Sequence, residues 1–158
     1  MERVNKIFFH PLYQRHFQEL QKAEEERIFC NHTMEHFLDV ARLMMIRNLQ
    51  EQAGLDAEVI YAVALLHDLG RNLQYREGIS HEIASAQLAK EILPDCGYTA
   101  MEQEQIIPAI LSHRQDGTEE RLAAYLYEAD KKSRNCFVCK AFAECNWAKE
   151  KKNMEILG

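Results

Sequence analysis

The chain has 158 residues, 47% hydrophobic and 28% charged, with a formal net charge of −6. That balance suits one globular domain with a real core. No apolar run approaches the ~20 residues that span a bilayer, and the N-terminal segment lacks a signal peptide's apolar stretch and cleavage site, so no membrane association and a cytoplasmic location are expected. The acidic balance, with no long basic stripe, disfavours long nucleic acids as partners, because their binding depends on neutralising many phosphates. A small anionic substrate needs only a local basic pocket and stays open.

Three prolines and six glycines punctuate the chain, and apolar residues recur at helical spacing without any alternating β pattern. The spacing predicts a helix over 12–26 and a second over 32–51, stopped by Gly54. Asp56 caps a third, 57–67, whose VIYAVALL run is nearly all apolar and therefore deeply buried. A turn at Gly70 and a loop through Gly78 lead to Ser80, the N-cap of a helix that reaches Leu93 and is closed by Pro94 and Gly97. Thr99 and Glu102 form a capping box for the next helix, which Pro108 kinks or splits. Thr118 caps a helix over 119–133, and the tail 135–158 is expected to hold a last one. The sum is an all-α, single-domain helical bundle.

Several polar residues sit where a core is expected. The dipeptide His67-Asp68 ends the buried helix in AVALLHDLG, and an ionised carboxylate buried there needs a partner or a metal. Asp130 follows Leu122 and Leu126 at steps of four, so it shares their apolar face. His36 precedes Val40 and Met44 at the same spacing and faces the core. His81 opens a helix and His113 ends one. His32, four residues before His36, is either a supporting group on the same face or a competing ligand.

The order H…HD…D, realised as His36, His67-Asp68 and Asp130, resembles the signature of HD-superfamily metal-dependent phosphohydrolases. HFLDVAR after His36, LLHDLGR around the dipeptide and YLYEAD into Asp130 extend the likeness over about 28–134. GISHEIASAQLA and IIPAILSHR resemble the two extra histidine motifs of members that hold two metals. The resemblance implies one ion on His36, His67, Asp68 and Asp130, and a second on His81 and His113 with Asp68 bridging. The ions would be divalent transition metals such as iron, manganese, zinc or nickel, among which imidazole and carboxylate do not choose. It also implies hydrolysis of a phosphoester or phosphoanhydride in a small, nucleotide-like molecule by metal-activated hydroxide. Asp68 is then catalytic as the bridge, and Arg71 and Arg134 stabilise the transition state, ahead of Arg114 and Lys131. Two other readings of the same ligands stay open: an HD-type di-iron oxygenase, and a non-catalytic metal-bound sensor or binding module.

Five cysteines are present: Cys30, Cys96, Cys136, Cys139 and Cys145. With an odd count and no sign of secretion, disulfides are not expected. Cys136 and Cys139 form a C-x-x-C pair, with Cys145 six residues on. Cys30 lies six residues before His36 and Cys136 six after Asp130, so a shared metal between those ligands brings the two together. A second centre on Cys30, Cys136, Cys139 and Cys145, structural zinc or iron–sulfur, competes with ordinary buried thiols.

Overall fold

In the computed structural model of the protein, residues 1–115 and 117–156 are described. Among them are eight α-helices and no strand. They are α1 (Glu2–Phe9), α2 (Pro11–Ala23), α3 (Met34–Gln50), α4 (Ala57–Leu66), α5 (Arg71–Glu77), α6 (His81–Asp95), α7 (Ala100–Ser112) and α8 (Arg121–Lys132). No helix is long and apolar enough to cross a membrane.

The most apolar segment is the most central. Seven of the ten residues of α4 are buried, and α3, α6, α7, α8 and α1 all pack on it. A helix apolar around most of its circumference has no face for water and becomes the axis of the bundle. The surrounding helices each bury one stripe. Val40, Ala41 and Met44 of α3 and Leu122, Leu126 and Ala129 of α8 close the core on one side. Ile92 and Leu93 of α6 and Ile106 and Ile110 of α7 close it on the other.

Caps set several of the boundaries. The Asp56 carboxylate accepts from the amides of Glu58 and Val59, and Thr99 with Glu102 makes the expected capping box; each satisfies amides a helix start leaves unpaired. Ser80 precedes α6 as expected, but its hydroxyl makes no capping hydrogen bond; Gly54 and Gly97 have positive φ.

Other expectations are corrected. An additional helix, α1, precedes α2, and α2 ends at Ala23. His32 precedes α3 and does not share its face; the helix starts after Thr33, whose hydroxyl accepts from the His36 amide. The segment expected as a loop up to Gly78 is helix α5, closed by Gly78 at φ 73°. Pro108 does not split α7, which runs through it. Pro108 and Glu104, whose carbonyl loses its partner, are both exposed, so solvent replaces the missing bond. Helix α8 starts after Glu120, and the Thr118 hydroxyl only accepts from the Glu120 amide. The tail holds no α-helix among its described residues; it forms short 3₁₀ turns at Cys136–Val138 and Lys149–Lys151.

Candidate metal centre

Polar residues gather where helix ends meet. His36 lies in the first turn of α3, and His67 and Asp68 directly follow α4. Arg71 and His81 open α5 and α6, His113 caps the end of α7, and Asp130 lies in the last turn of α8. His36, His67, Asp68, His81, His113 and Asp130 are all buried. One donor atom from each of His36, His67, Asp68 and Asp130 falls within 4.8 Å of the others. Asp68, His81 and His113 form a second group on the same criterion.

Asp68 joins the two groups. Its Oδ1 lies 3.2 Å from His81 Nε2 and 3.6 Å from His113 Nε2, while Oδ2 lies 3.4 Å from His67 Nε2. Asp130 Oδ1 is 3.4 Å from His36 Nε2 and 3.9 Å from His67 Nε2.

The imidazoles are held in one orientation. Nδ1 of His67 donates to the Ala64 carbonyl at 2.7 Å, and Nδ1 of His113 to the Ile110 carbonyl at 2.6 Å. In both, the acceptor lies three residues back in the chain, so the helix end itself turns the ring. Nδ1 of His81 donates to Gln74 Oε1 at 3.0 Å. The Ser133 hydroxyl gives its proton to the Asp130 carbonyl and so accepts from His36 Nδ1 at 3.1 Å. Each ring thereby presents Nε2 inward as a lone-pair donor, the arrangement of metal-binding histidines.

The electrostatics fit cations. His67 Nε2 and both Asp68 oxygens are buried without a hydrogen-bond partner, a costly state unless another group satisfies them. Burial pushes the Asp68 carboxyl up, but His67, Arg71 and His32 hold it well below the usual carboxylate range. Burial draws His36 and His81 down to about 4, keeping them neutral and able to ligate. For His67 burial acts downward, but the adjoining Asp68 and Asp130 carboxylates prevail and raise it to about 9. A cation held between them would displace that proton and be balanced by the same negative charge.

His32 borders the site but belongs to neither group of potential ligands. Its Nδ1 and backbone amide meet the two Glu24 oxygens, each at 2.7 Å, and its Nε2 lies 3.2 Å from Asp68 Oδ2. The Tyr75 hydroxyl also donates to Glu24. Sequence reasoning missed Glu24, Gln74 and Ser133; the first sits in the charged run EEER, which reads as a solvated surface.

Above these groups opens a cavity of about 410 Å³. Five basic side chains line it: Arg27, Arg71, Arg114, Lys131 and Arg134. Arg71 Nε lies 3.0 Å from Asp68 Oδ1, and Arg134 Nη2 lies 3.1 Å from both Asp130 Oδ1 and His36 Nε2. Phe29, Asn146 and Trp147 add a mixed aromatic and polar rim.

The cysteines are gathered less tightly. Cys30, Cys136 and Cys139 line one small cavity, and Cys30 and Cys145 share the wall of the large one. Burial raises the Cys30 thiol, Arg134 lowers it, and the thiols of Cys139, Cys136 and Cys145 add to the rise. Among the described residues the four sulfurs form no third group within 4.8 Å. Cys96 is buried at the end of α6, in the hydrophobic core.

Residues 33–141 match a family model described as HD domain. An uncharacterized protein of Clostridium beijerinckii is 46% identical over 156 residues, covering 99% of both chains. Ribonuclease Y of Cutibacterium acnes is 34% identical over 84 residues, 52% of this chain but 14% of that enzyme. The crystal structure of a predicted HD superfamily hydrolase from an uncultured Thermotogales bacterium shares the fold at a TM-score of 0.67 and 19% identity. It covers 93% of this chain and 82% of its own. With the family pattern spanning most of its length and its histidines and aspartates converging at the helix ends, the chain belongs to the HD domain family.

Proposed function

We propose that the protein is a metal-dependent phosphohydrolase acting on a small phosphorylated, nucleotide-like substrate. His36, His67, Asp68 and Asp130 hold one divalent ion, and Asp68, His81 and His113 hold a second. The observation that carries this reading is Asp68, whose two buried oxygens make no aligned hydrogen bond and lie between two sets of inward-facing imidazoles, with Arg71 as an ion-pair neighbour. Ions held there supply charge to phosphoryl oxygens and acidify the attacking water. The protein's own residues bind and orient the substrate. Arg71 and Arg134 border the carboxylates and meet the phosphoryl oxygens from the cavity side, with Lys131 and Arg114 further out. Preorganised cations of this kind stabilise charge developing in the transition state.

The relative named Ribonuclease Y raises the question of RNA. The net charge of −6 and a cavity of about 410 Å³ favour a small molecule, because RNA tracks need extended basic surface.

The test is turnover of nucleoside mono-, di- and triphosphates, dinucleoside polyphosphates and an RNA oligomer with manganese, iron, zinc or nickel. Phosphate or nucleotide release from a small substrate is expected, with about two metal equivalents bound at the histidine–aspartate site. Asp68→Ala should reduce turnover by ~10³-fold or more, since it removes a donor from both metal groups. Unchanged turnover in that variant, a strict need for dioxygen, or hydrolysis of RNA alone would overturn the reading.

A further inference from the structure

The segment after α8 has no core of its own. Within residues 135–156 only Cys136 and Ala141 are buried, while Phe137, Val138 and Phe142 stand exposed. Its regular structure is two single 3₁₀ turns. Asn153 ties it to the Lys131 and Arg134 carbonyls, and little else of it is anchored by side-chain hydrogen bonds to the helices. Yet this segment supplies Cys145, Asn146 and Trp147 to the wall of the large cavity. An irregular stretch that buries so little apolar surface does not hold a fixed place unaided; small segments of this kind rely on a metal or a covalent link.

The chain offers the means at that point. Four of its five cysteines line two cavities that share Cys30, and all are free thiols, although no three of their sulfurs lie within 4.8 Å of one another. Cys136 and Cys139 are brought onto one turn by the Cys139 amide donating to the Cys136 carbonyl at 3.2 Å. The Phe142 amide continues the coil by donating to the Cys139 carbonyl, also at 3.2 Å. Cys30, in the connection between α2 and α3, faces this turn across one cavity and Cys145 across the other. The family match covers 33–141, so Cys30 and Cys145 fall outside it.

We propose that Cys30, Cys136, Cys139 and Cys145 form a four-thiolate metal centre, separate from the histidine–aspartate site, that fastens the tail over the cavity. Four thiolates select soft metals and suit either a single zinc ion or an iron–sulfur cluster. Binding either would draw the sulfurs together, and a segment with little core packing can rearrange to allow it, since metal binding and folding are commonly coupled. The link joins positions far apart in the chain and so also restricts the unfolded state.

The experiment uses the full chain purified without oxygen. Metal analysis and visible absorption are expected to show one zinc ion, or one coloured iron–sulfur cluster, beyond the metal of the histidine–aspartate site. Cys136→Ser/Cys139→Ser should lose that centre alone, and Cys96→Ser should lose nothing. Asp68→Asn, aimed at the other site, should keep it, which separates failure of this proposal from failure of the hydrolase reading. In the unmodified protein four thiols should resist alkylation until a chelator or acid strips the metal, and should regain protection with zinc or with iron and sulfide. Four thiols that react freely before and after such loading, or metal content identical in the double variant, would overturn the centre.

Discussion

At Gly70 the constraint is space, since its φ of −78° suits any residue. A Cβ there would meet the backbone amide of Ser85 and lie 2.6 Å from Ala84 Cβ. The Gly70 amide donates to Ser85 Oγ at 2.8 Å across the same contact, so the turn after His67-Asp68 is pressed onto α6, whose first residue is His81. Gly70→Ala should therefore destabilise the fold by about 1–3 kcal/mol, the cost of overpacking, and weaken metal binding by moving His81 away from Asp68. Denaturant melts alongside metal titration check both; a fully stable variant with weakened binding would show the strain resting on the site alone. The candidate ligands were legible in the sequence because histidines and aspartates on apolar faces or at buried helix ends are chemically out of place. Their supports were not. Glu24, Gln74 and Ser133 are ordinary surface types, and only tertiary packing brings them to His32, His81 and His36.

Periodicity found the longer helices that bury an apolar stripe and passed over two short ones, α1 and α5. In α5 the one buried residue is Asn72, which bonds to His16 and Glu19 of α2; its packing is polar, so no apolar pattern marks it. Helix α1 has eight residues, of which only Val4 and Ile7 are buried, and charge does much of its fastening. Arg3 pairs with Glu58 of α4 at 2.6 Å and Glu102 of α7 at 2.7 Å, and the N-terminal amine reaches Glu58 at 2.9 Å. Hydrogen bonds from Arg3, then from the N-terminal amine, draw the Glu58 carboxyl from 4.5 to about 2. A folded-state value below the unfolded one means the unfolded chain binds the proton more readily. The stabilisation is therefore complete above about pH 4.5 and is lost as pH falls toward 2. These groups are partly exposed, so the contribution is about 1 kcal/mol at most. Arg3→Ala should lower the melting temperature at pH 6 by a few degrees and close on the unmodified protein below pH 3. Melts across that range check it; a constant gap would assign the effect of Arg3 to packing over Tyr98, 4.4 Å from its guanidinium.

The molecule as a whole is organised around the place where its helices end. The candidate ligands come from α3, the turn after α4, α6, α7 and α8, so an ion bound there touches nearly every packed layer at once. The all-α class and the central place of α4 followed from composition and period, whereas the unwound tail did not, because its cysteines and aromatic residues carry no helical stripe. Binding to the folded state alone at 100 times the dissociation constant adds about 2.7 kcal/mol, or about 5–10 °C for a chain of this size. Chelation should lower the melting temperature by that much and keep a single transition; two separated transitions would show the ions holding only part of the bundle together. One last property follows from Trp147, the chain's single tryptophan, half-buried in the cavity wall near Arg134 and Lys131. All of the protein's indole fluorescence originates at the mouth of that cavity, so the fold carries its own optical reporter. Titration with a nucleoside monophosphate should quench and shift this emission through stacking of the base, while inorganic phosphate should leave it nearly unchanged. An equal response to both would place the phosphate, and no base, against the indole.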